Sequence, residues 1–395
     1  MSNNKDYDQM ALELHRENRG KMEIRSKVPL ETKEDLSIAY TPGVAKPCLE
    51  IERDRHLVNT YTNRGNTIGV VTDGSAVLGL GNIGPYAALP VMEGKAILFK
   101  EFADVDAVPI CVAGLKKEGI VALVKALEPT FAGINLEDIS APDCFYIEDE
   151  LKKISEIPIF HDDQHGTAVV TLAALYNSLK LVGKTMEELS IVINGAGAAG
   201  MAIARILLDG GAGDVVLCDR TGIIHQGRAK GMNPYKEAMA SISNHGMKTG
   251  SLSDAIQGAD VFIGVSQAGA LTGEMVRSMN RDAIIFAMAN PVPEIMPDEA
   301  KANGAKIVCT GRSDFPNQVN NVLAFPGILR GALDVEAKDI NEAMKLAAAS
   351  AIASLVSEGE LKEDFVIPSP LDRRVSVVVA QHVAEAARQS GVSKK

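Results

Sequence analysis

The sequence predicts an α/β protein in two parts: a mixed α/β unit, then a doubly wound parallel sheet with C-terminal helices. Three observations lead there. The 395 residues are enough for more than one core. Short Val/Ile-rich runs alternate with helical patterns along most of the chain. A glycine-rich turn, Gly195 to Gly200, stands between one such run and a helical pattern.

In the first unit, residues 1–164, the apolar runs Thr67–Val71, Ala96–Phe99, Val108–Val112, Gly133–Leu136 and Ile157–Phe160 predict strands. Helical spacing covers Ile120–Leu127 and Cys144–Ile154. In the second unit, residues 165–395, a long helical pattern from Gly166 to Leu179 leads into strands at Ser190–Asn194, Val215–Cys218, Val261–Val265, Ile284–Ala287 and Ile307–Cys309. Continuous Val/Ile runs suit parallel strands covered by helices on both faces. Ile340–Val356 and Val375–Ala387 read as closing helices.

Composition removes several function classes. Hydrophobic residues are 46% and charged residues 23%, which excludes a disordered chain. The formal charge of −11 makes a surface that repels phosphate backbones and anionic lipid, so no nucleic acid partner is expected. The charge-free run Leu189–Ala204 contains three glycines and is too short to span a bilayer. The first thirty residues mix charges and lack an apolar signal core, so the cytoplasm is the expected location. Cys48, Cys111, Cys144, Cys218 and Cys309 form no C-x-x-C pair, which argues against a disulfide framework or a thiolate zinc site.

Gly195-Ala196-Gly197-Ala198-Ala199-Gly200 follows a strand and opens a helix. The glycines allow a tight turn, backbone approach to a pyrophosphate and close helix packing, which makes this half a Rossmann-type dinucleotide fold. Asp219, nineteen residues past Gly200, ends the next strand. It would accept the ribose hydroxyls and repel a 2′-phosphate, which favours NAD. The adjacent Arg220 could turn toward that phosphate and permit NADP, so both cofactors stay open.

Glu137 and Asp138 follow one predicted strand and Asp163 another. Neighbouring strand ends can bring three carboxylates together, and hard oxygens suit Mg²⁺ or Mn²⁺. The plainer alternatives are a solvated acidic pair and, for Asp162-Asp163, a helix cap. His161 and His165 lack the H-E-x-x-H arrangement of zinc ligands and read as structural or supporting groups. Lys95 opens an apolar run, where burial could lower its pKa enough for it to act as a base. A snorkelling lysine at a strand end is the alternative. Tyr40, beside the Pro42-Gly43 turn, is either a positioned proton donor or half-buried packing.

Several motifs then converge: Tyr40-Thr41-Pro42-Gly43-Val44, Thr72-Asp73-Gly74 with Leu78-Gly79-Leu80-Gly81-Asn82, Gly94-Lys95, Asn135-Leu136-Glu137-Asp138, His161-Asp162-Asp163-Gln164-His165-Gly166-Thr167-Ala168, the Gly195 loop, Ala289-Asn290-Pro291 and Asn317-Gln318-Val319-Asn320-Asn321. Across nearly the whole chain and in the same order, they resemble the malic enzyme family in its compact bacterial form. The resemblance implies oxidative decarboxylation of (S)-malate to pyruvate and CO₂ with reduction of NAD or NADP, dependent on Mn²⁺ or Mg²⁺. It implies Glu137, Asp138 and Asp163 as metal ligands, Lys95 as general base and Tyr40 as general acid. Asn290 and Asn321 become malate contacts, Asn290 also bordering the cofactor, and a homodimer or larger assembly is implied. Larger family members place an arginine clamp where this chain has Ser75-Ala76-Val77, so another group, in this chain or a second subunit, has to hold the C4 carboxylate. No acetyltransferase-like extension is expected. Malolactic chemistry on the same scaffold, giving lactate with recycled NAD, and a non-catalytic nucleotide-binding regulator are the competing readings. The intact set of Lys95, Tyr40 and three carboxylates argues against the regulator.

Overall fold

The computed structural model describes residues 6–77 and 79–395; Leu78, part of the Leu-Gly-Leu-Gly element, lies outside them. Four helices come first: α1 (Tyr7–Asn18), α2 (Lys33–Ala39), α3 (Ala45–Arg53) and α4 (Val58–Tyr61). No residue from 6 to 66 is buried, although Met10, Leu14, Leu30, Ile38 and Leu49 belong to this segment.

The first sheet begins with β1 (Thr67–Thr72). Helix α5 (Gly84–Ala103), β2 (Asp106–Cys111), α6 (Lys117–Leu127), β3 (Gly133–Leu136), α7 (Asp143–Ile154) and β4 (Ile159–His161) follow. The four strands are all parallel in the order β2-β1-β3-β4. The expected strand at Ala96–Phe99 is a correction, because those residues lie inside α5. Ala88, Met92, Lys95, Ala96 and Phe99 are the buried face of that helix, at helical spacing, and a four-residue apolar run is too short to reveal that period.

Helix α8 (Asp162–Val182) starts four residues before the expected Gly166 and runs across position 164, with fourteen of its residues buried. It leads into β5 (Ser190–Asn194), α9 (Ala198–Asp209), β6 (Asp214–Asp219), β7 (Gly222–Ile223), α10 (Pro234–Ala240) and α11 (Leu252–Ile256). The sheet is completed by β8 (Val261–Gly264), α12 (Gly273–Ser278), β9 (Ala283–Ala287), α13 (Pro297–Ala302) and β10 (Ala305–Thr310). Its order is β10-β9-β8-β5-β6-β7, parallel except for the short β7, which pairs antiparallel with β6. The order reverses beside β5, the switch point at which doubly wound sheets bind nucleotides.

Helices α14 (Phe325–Asp334), α15 (Glu342–Ser354) and α16 (Arg374–Gln389) close the chain, α14 and α16 packing on α5 of the first unit and α15 on α8 and α9. Phe325 of α14 stacks edge-on with Phe99 of α5, ring centroids 4.7 Å apart. One continuous apolar core therefore includes Val70 and Leu136 of the first sheet, Val170 of α8, Ile193 of the second sheet and Val379 of α16. A smaller core around Val192, Phe262 and Ile285 covers the other face of the second sheet. Among the described residues, no helix is long and apolar enough to cross a membrane.

Candidate active site

Strands β3 and β4 are neighbours, with Leu136 opposite His161, so the chain leaves both at one edge of the sheet. Glu137 and Asp138 follow β3, while Asp162 and Asp163 form the first turn of α8. One carboxylate oxygen from each of Glu137, Asp138 and Asp163 lies within 4.8 Å of the others. Asp138 turns the chain with φ of 53°, and its N–H donates to Asp163 Oδ2 at 2.8 Å, tying the two strand ends together. Burial raises all three carboxyls, and their mutual repulsion adds to the rise for Asp138, pushed up to about 8.

Buried polar atoms are ordinarily paired. Here Asp138 Oδ2, Asp162 Oδ1, Asn135 Oδ1 and both ring nitrogens of His161 have no partner among the described residues. Orphaned oxygens beside a three-carboxylate cluster fit a hard divalent cation, and the donor set contains no thiolate.

Lys95 projects into this cluster from α5 and is only 8% exposed. Its Nζ donates to Asp162 Oδ2 at 2.7 Å, lies 3.0 Å from Glu137 Oε1 and stands 4.1 Å from the centre of the Phe325 ring. The expected lowering of its pKa is a correction. Burial does lower it, but the charges of Asp162 and Glu137 outweigh burial and raise it, so Lys95 is an ammonium before any ligand binds. Burial pushes Asp162 up to about 7. Asn321, from the loop before α14, donates its side-chain amide to Asp162 Oδ2, which ties the second unit to the cluster. Gly166 completes the turn, because a Cβ there would meet Asp162 Oδ1 at 1.9 Å.

Tyr40 is elsewhere. It caps the end of α2, is 67% exposed, and its hydroxyl has no hydrogen-bond partner among the described residues. Ala76, in the stretch Ser75-Ala76-Val77, donates its N–H to Asp138 O at 2.9 Å.

The nucleotide loop meets its geometric requirements. Gly195 has φ of 121° and a Cβ there would lie 2.4 Å from Val265 O. A Cβ on Gly200 would lie 1.7 Å from Gly195 O. Ala196 and Gly197 form the turn, and α9 starts at Ala198-Ala199 without a side-chain cap, leaving its first N–H groups for a pyrophosphate. Asp219 is more occupied than the sequence suggests. Arg228 grips both its oxygens, Lys236 Nζ lies 2.6 Å from Oδ2, and Thr221 donates N–H and hydroxyl to Oδ1 at 2.9 and 2.7 Å. Burial opposes its ionisation, but these donors hold the carboxyl well below its usual range. Arg220, His225 and Lys230 line the adjacent cavity of about 780 Å³. Asn290, after β9, follows Ala289, whose N–H donates to buried Glu294 at 3.0 Å, as does that of Ser266 at 2.8 Å.

Sequence reasoning missed Asp162, Phe325, Arg228, Lys236 and Glu294. The doubled acid at Asp162-Asp163 was a signal for the first of these. Phe325 lies 230 residues from Lys95, a contact that no local pattern reveals.

Comparisons with known proteins point to one family. The family described as malic enzyme, N-terminal domain, matches residues 19–116, and that described as malic enzyme, NAD binding domain, matches residues 164–388. The bifunctional malic/malolactic enzyme of Bacillus subtilis is 62% identical over 97% of this chain and 94% of its own length. The NAD-dependent malic enzyme of Geobacillus stearothermophilus is 56% identical over 95% of this chain and 78% of its own. The crystal structure of malic enzyme from Pyrococcus horikoshii superposes with a TM-score of 0.95 at 48% identity, covering 98% of this chain and 92% of that one. Two family domains in order and a shared fold from end to end make this chain a member of the malic enzyme family, an NAD(P)-dependent oxidoreductase.

Proposed function

We propose that the chain converts (S)-malate to pyruvate and CO₂ with reduction of NAD or NADP. In this reading residues 1–164 supply the substrate and metal part, with Glu137, Asp138 and Asp163 holding Mn²⁺ or Mg²⁺. Residues 165–395 supply the nucleotide fold and the C-terminal helices. The observation that carries it is Lys95, buried 2.7 Å from Asp162 and beside three clustered carboxylates.

A cation held by Glu137, Asp138 and Asp163 would supply Lewis acidity toward the substrate's oxygens, and a nicotinamide in the second unit would supply the hydride acceptor. Lys95 takes the proton of the C2 hydroxyl. It first has to release a proton of its own, and Asp162 Oδ2, nearer than Glu137 Oε1 and outside the three proposed ligands, is the acceptor. The two groups share that proton, so they titrate as a pair. Phe325 and the α5 helix exclude water from Lys95, and Asn321 holds Asp162 in place. After CO₂ leaves, Tyr40 delivers a proton to C3. Because Tyr40 stands exposed on a segment with no buried residue, the reading includes a homodimer or larger assembly. There a second copy covers the apolar side chains of residues 6–66 and Tyr40 is carried to a Lys95 cluster.

The pairing of Asp219 with Arg228 and Lys236 weakens its power to repel a 2′-phosphate and supports use of NADP as well as NAD. Malolactic chemistry is the second reading, favoured by the name of the B. subtilis relative. The deciding assay incubates the protein with (S)-malate and Mn²⁺, with NAD and NADP separately, with and without chelator. Chelator-sensitive formation of reduced nicotinamide matched by pyruvate is expected. Lactate without net reduced nicotinamide would move the function to the malolactic reaction, and no product would overturn both readings.

A further inference from the structure

The turn that carries Asp162 and Asp163 is held from behind by a buried charged chain that the proposed reaction does not use. Glu148 on α7 is 5% exposed, yet it accepts from both residues that follow the acids. Gln164 Nε2 donates to its Oε2 at 2.9 Å, and His165 Nε2 lies 2.7 Å from its Oε1. Lys345, 1% exposed on α15, reaches His165 Nδ1 at 3.2 Å from the opposite side. An ammonium has only donors, so Nδ1 must accept and Nε2 must carry the hydrogen that goes to Glu148. Lys152 Nζ, 3.3 Å from Glu148 Oε1, and Glu342, paired with Lys345, balance the charge of the group.

The hydrogen-bonded chain from Lys345 through His165 to the accepting Glu148 thus joins three separate segments: α15, the first turn of α8, and the helix that follows Glu137-Asp138. We propose that Glu148, with Lys345 behind His165, is a positioning residue that fixes the first turn of α8, and so the distance of Asp163 from Glu137 and Asp138 on the opposing strand end. This rests on the assignment of those three carboxylates as a divalent-cation site. Groups behind the ligands of a metal commonly set its affinity by about 10–100-fold.

Glu148→Gln tests it, because the amide offers only one acceptor to the two donors from α8 and turns its NH₂ toward the other. Mn²⁺ affinity of the full-length protein is measured by calorimetry without substrate, and NADH affinity by fluorescence. The expected result is a Mn²⁺ Kd raised about 10–100-fold with NADH affinity within about twofold of wild type. Lys345→Gln, which leaves both carboxylate acceptors in place, is expected to raise the Mn²⁺ Kd by a smaller factor. It decides the matter if Glu148→Gln does not fold. A lowered Tm with unchanged Mn²⁺ affinity in a folded variant would show a merely structural role and overturn the inference. Wild-type protein that binds no Mn²⁺ would overturn the metal assignment, and this inference with it. Binding in wild type that is lost in Asp163→Asn but equal in Glu148→Gln would overturn this inference alone.

Discussion

Two acids at the exits of parallel strands, Asp138 after β3 and Asp219 at the end of β6, face opposite ways electrostatically. Asp138 is buried among other carboxylates and its carboxyl is pushed up to about 8. Asp219 is gripped by Arg228, Lys236 and Thr221, which hold it well below the usual range against the cost of burial. The backbone setting is similar, so the difference lies in whether the protein provides its own cations. At Asp219 the charge is balanced within the chain. At Asp138 it is not, since among the described residues Lys95 is the single lysine or arginine in contact with the group Glu137, Asp138, Asp162 and Asp163, and that imbalance is what a divalent cation would correct.

The sharpest way to break this comparison is to alter the unbalanced side. Asp163→Asn is expected to lower metal-dependent malate turnover by at least about 100-fold while NADH affinity changes less than about twofold. Steady-state kinetics and fluorescence titration check the two halves of that statement. Full turnover would mean that Asp163 is no ligand. Lys95→Ala is expected to lower kcat by about 10²–10⁴-fold. An unchanged kcat with a large fall in Tm would make Lys95 a packing residue.

On the balanced side, Gly200→Ala would push a methyl group into Gly195 O. NADH affinity should fall on the order of tenfold or more while Mn²⁺ affinity, read by calorimetry, holds. Arg228→Ala should free the Asp219 carboxylate for ribose hydroxyls. The ratio of kcat/KM for NAD over NADP is expected to rise on the order of tenfold. A shift toward NADP instead would show that Arg228 serves the nucleotide by packing and not through Asp219.

The smallest effect is on pH dependence. Unfolded carboxyls titrate near about 4, whereas folded Asp138 is pushed up to about 8. Between those values the folded state keeps a proton that the unfolded state has lost, so metal-free stability should fall as pH rises through that window. The Tm in chelator is expected to drop by a few degrees between pH 5.5 and 8. The increase in Tm on adding Mn²⁺ should grow over the same range, as the ligands ionise. A chelator Tm that rose steadily to pH 8 would contradict a buried, unbalanced cluster.

Elements that carry their own local signature were legible in the sequence. β3 and β5 fall at the residues that the apolar runs mark, and the Gly195 turn sits between a strand and a helix. The helix around Lys95 was not legible, because its apolar stretch is four residues long and the rest of its buried face is spread over two earlier turns. At the site, residue types and strand ends were enough to nominate Glu137, Asp138 and Asp163. The partners were not, since Arg228 meets Asp219 across nine residues and Asn321 meets Asp162 across 159. The raised pKa of Lys95 was also hidden, because desolvation is readable from an apolar neighbourhood whereas the opposing field of Asp162 comes from the other end of the sheet.

Helix α8 begins with a carboxylate of the acidic cluster and ends among the core residues of the second sheet. An unbroken, mostly buried rod at that junction is a poor place for a hinge, and it also makes a poor splice point. Chimaeras that join the front half of one relative to the nucleotide half of another at residue 164 would cut the rod behind its first turn. They would separate Asp163 from the packing that aims it. Parts exchanged between relatives should therefore carry the whole of α8, together with the α15 surface against which it lies, and a graft that respects only the sequence boundary should retain nucleotide binding and lose the acid cluster's geometry.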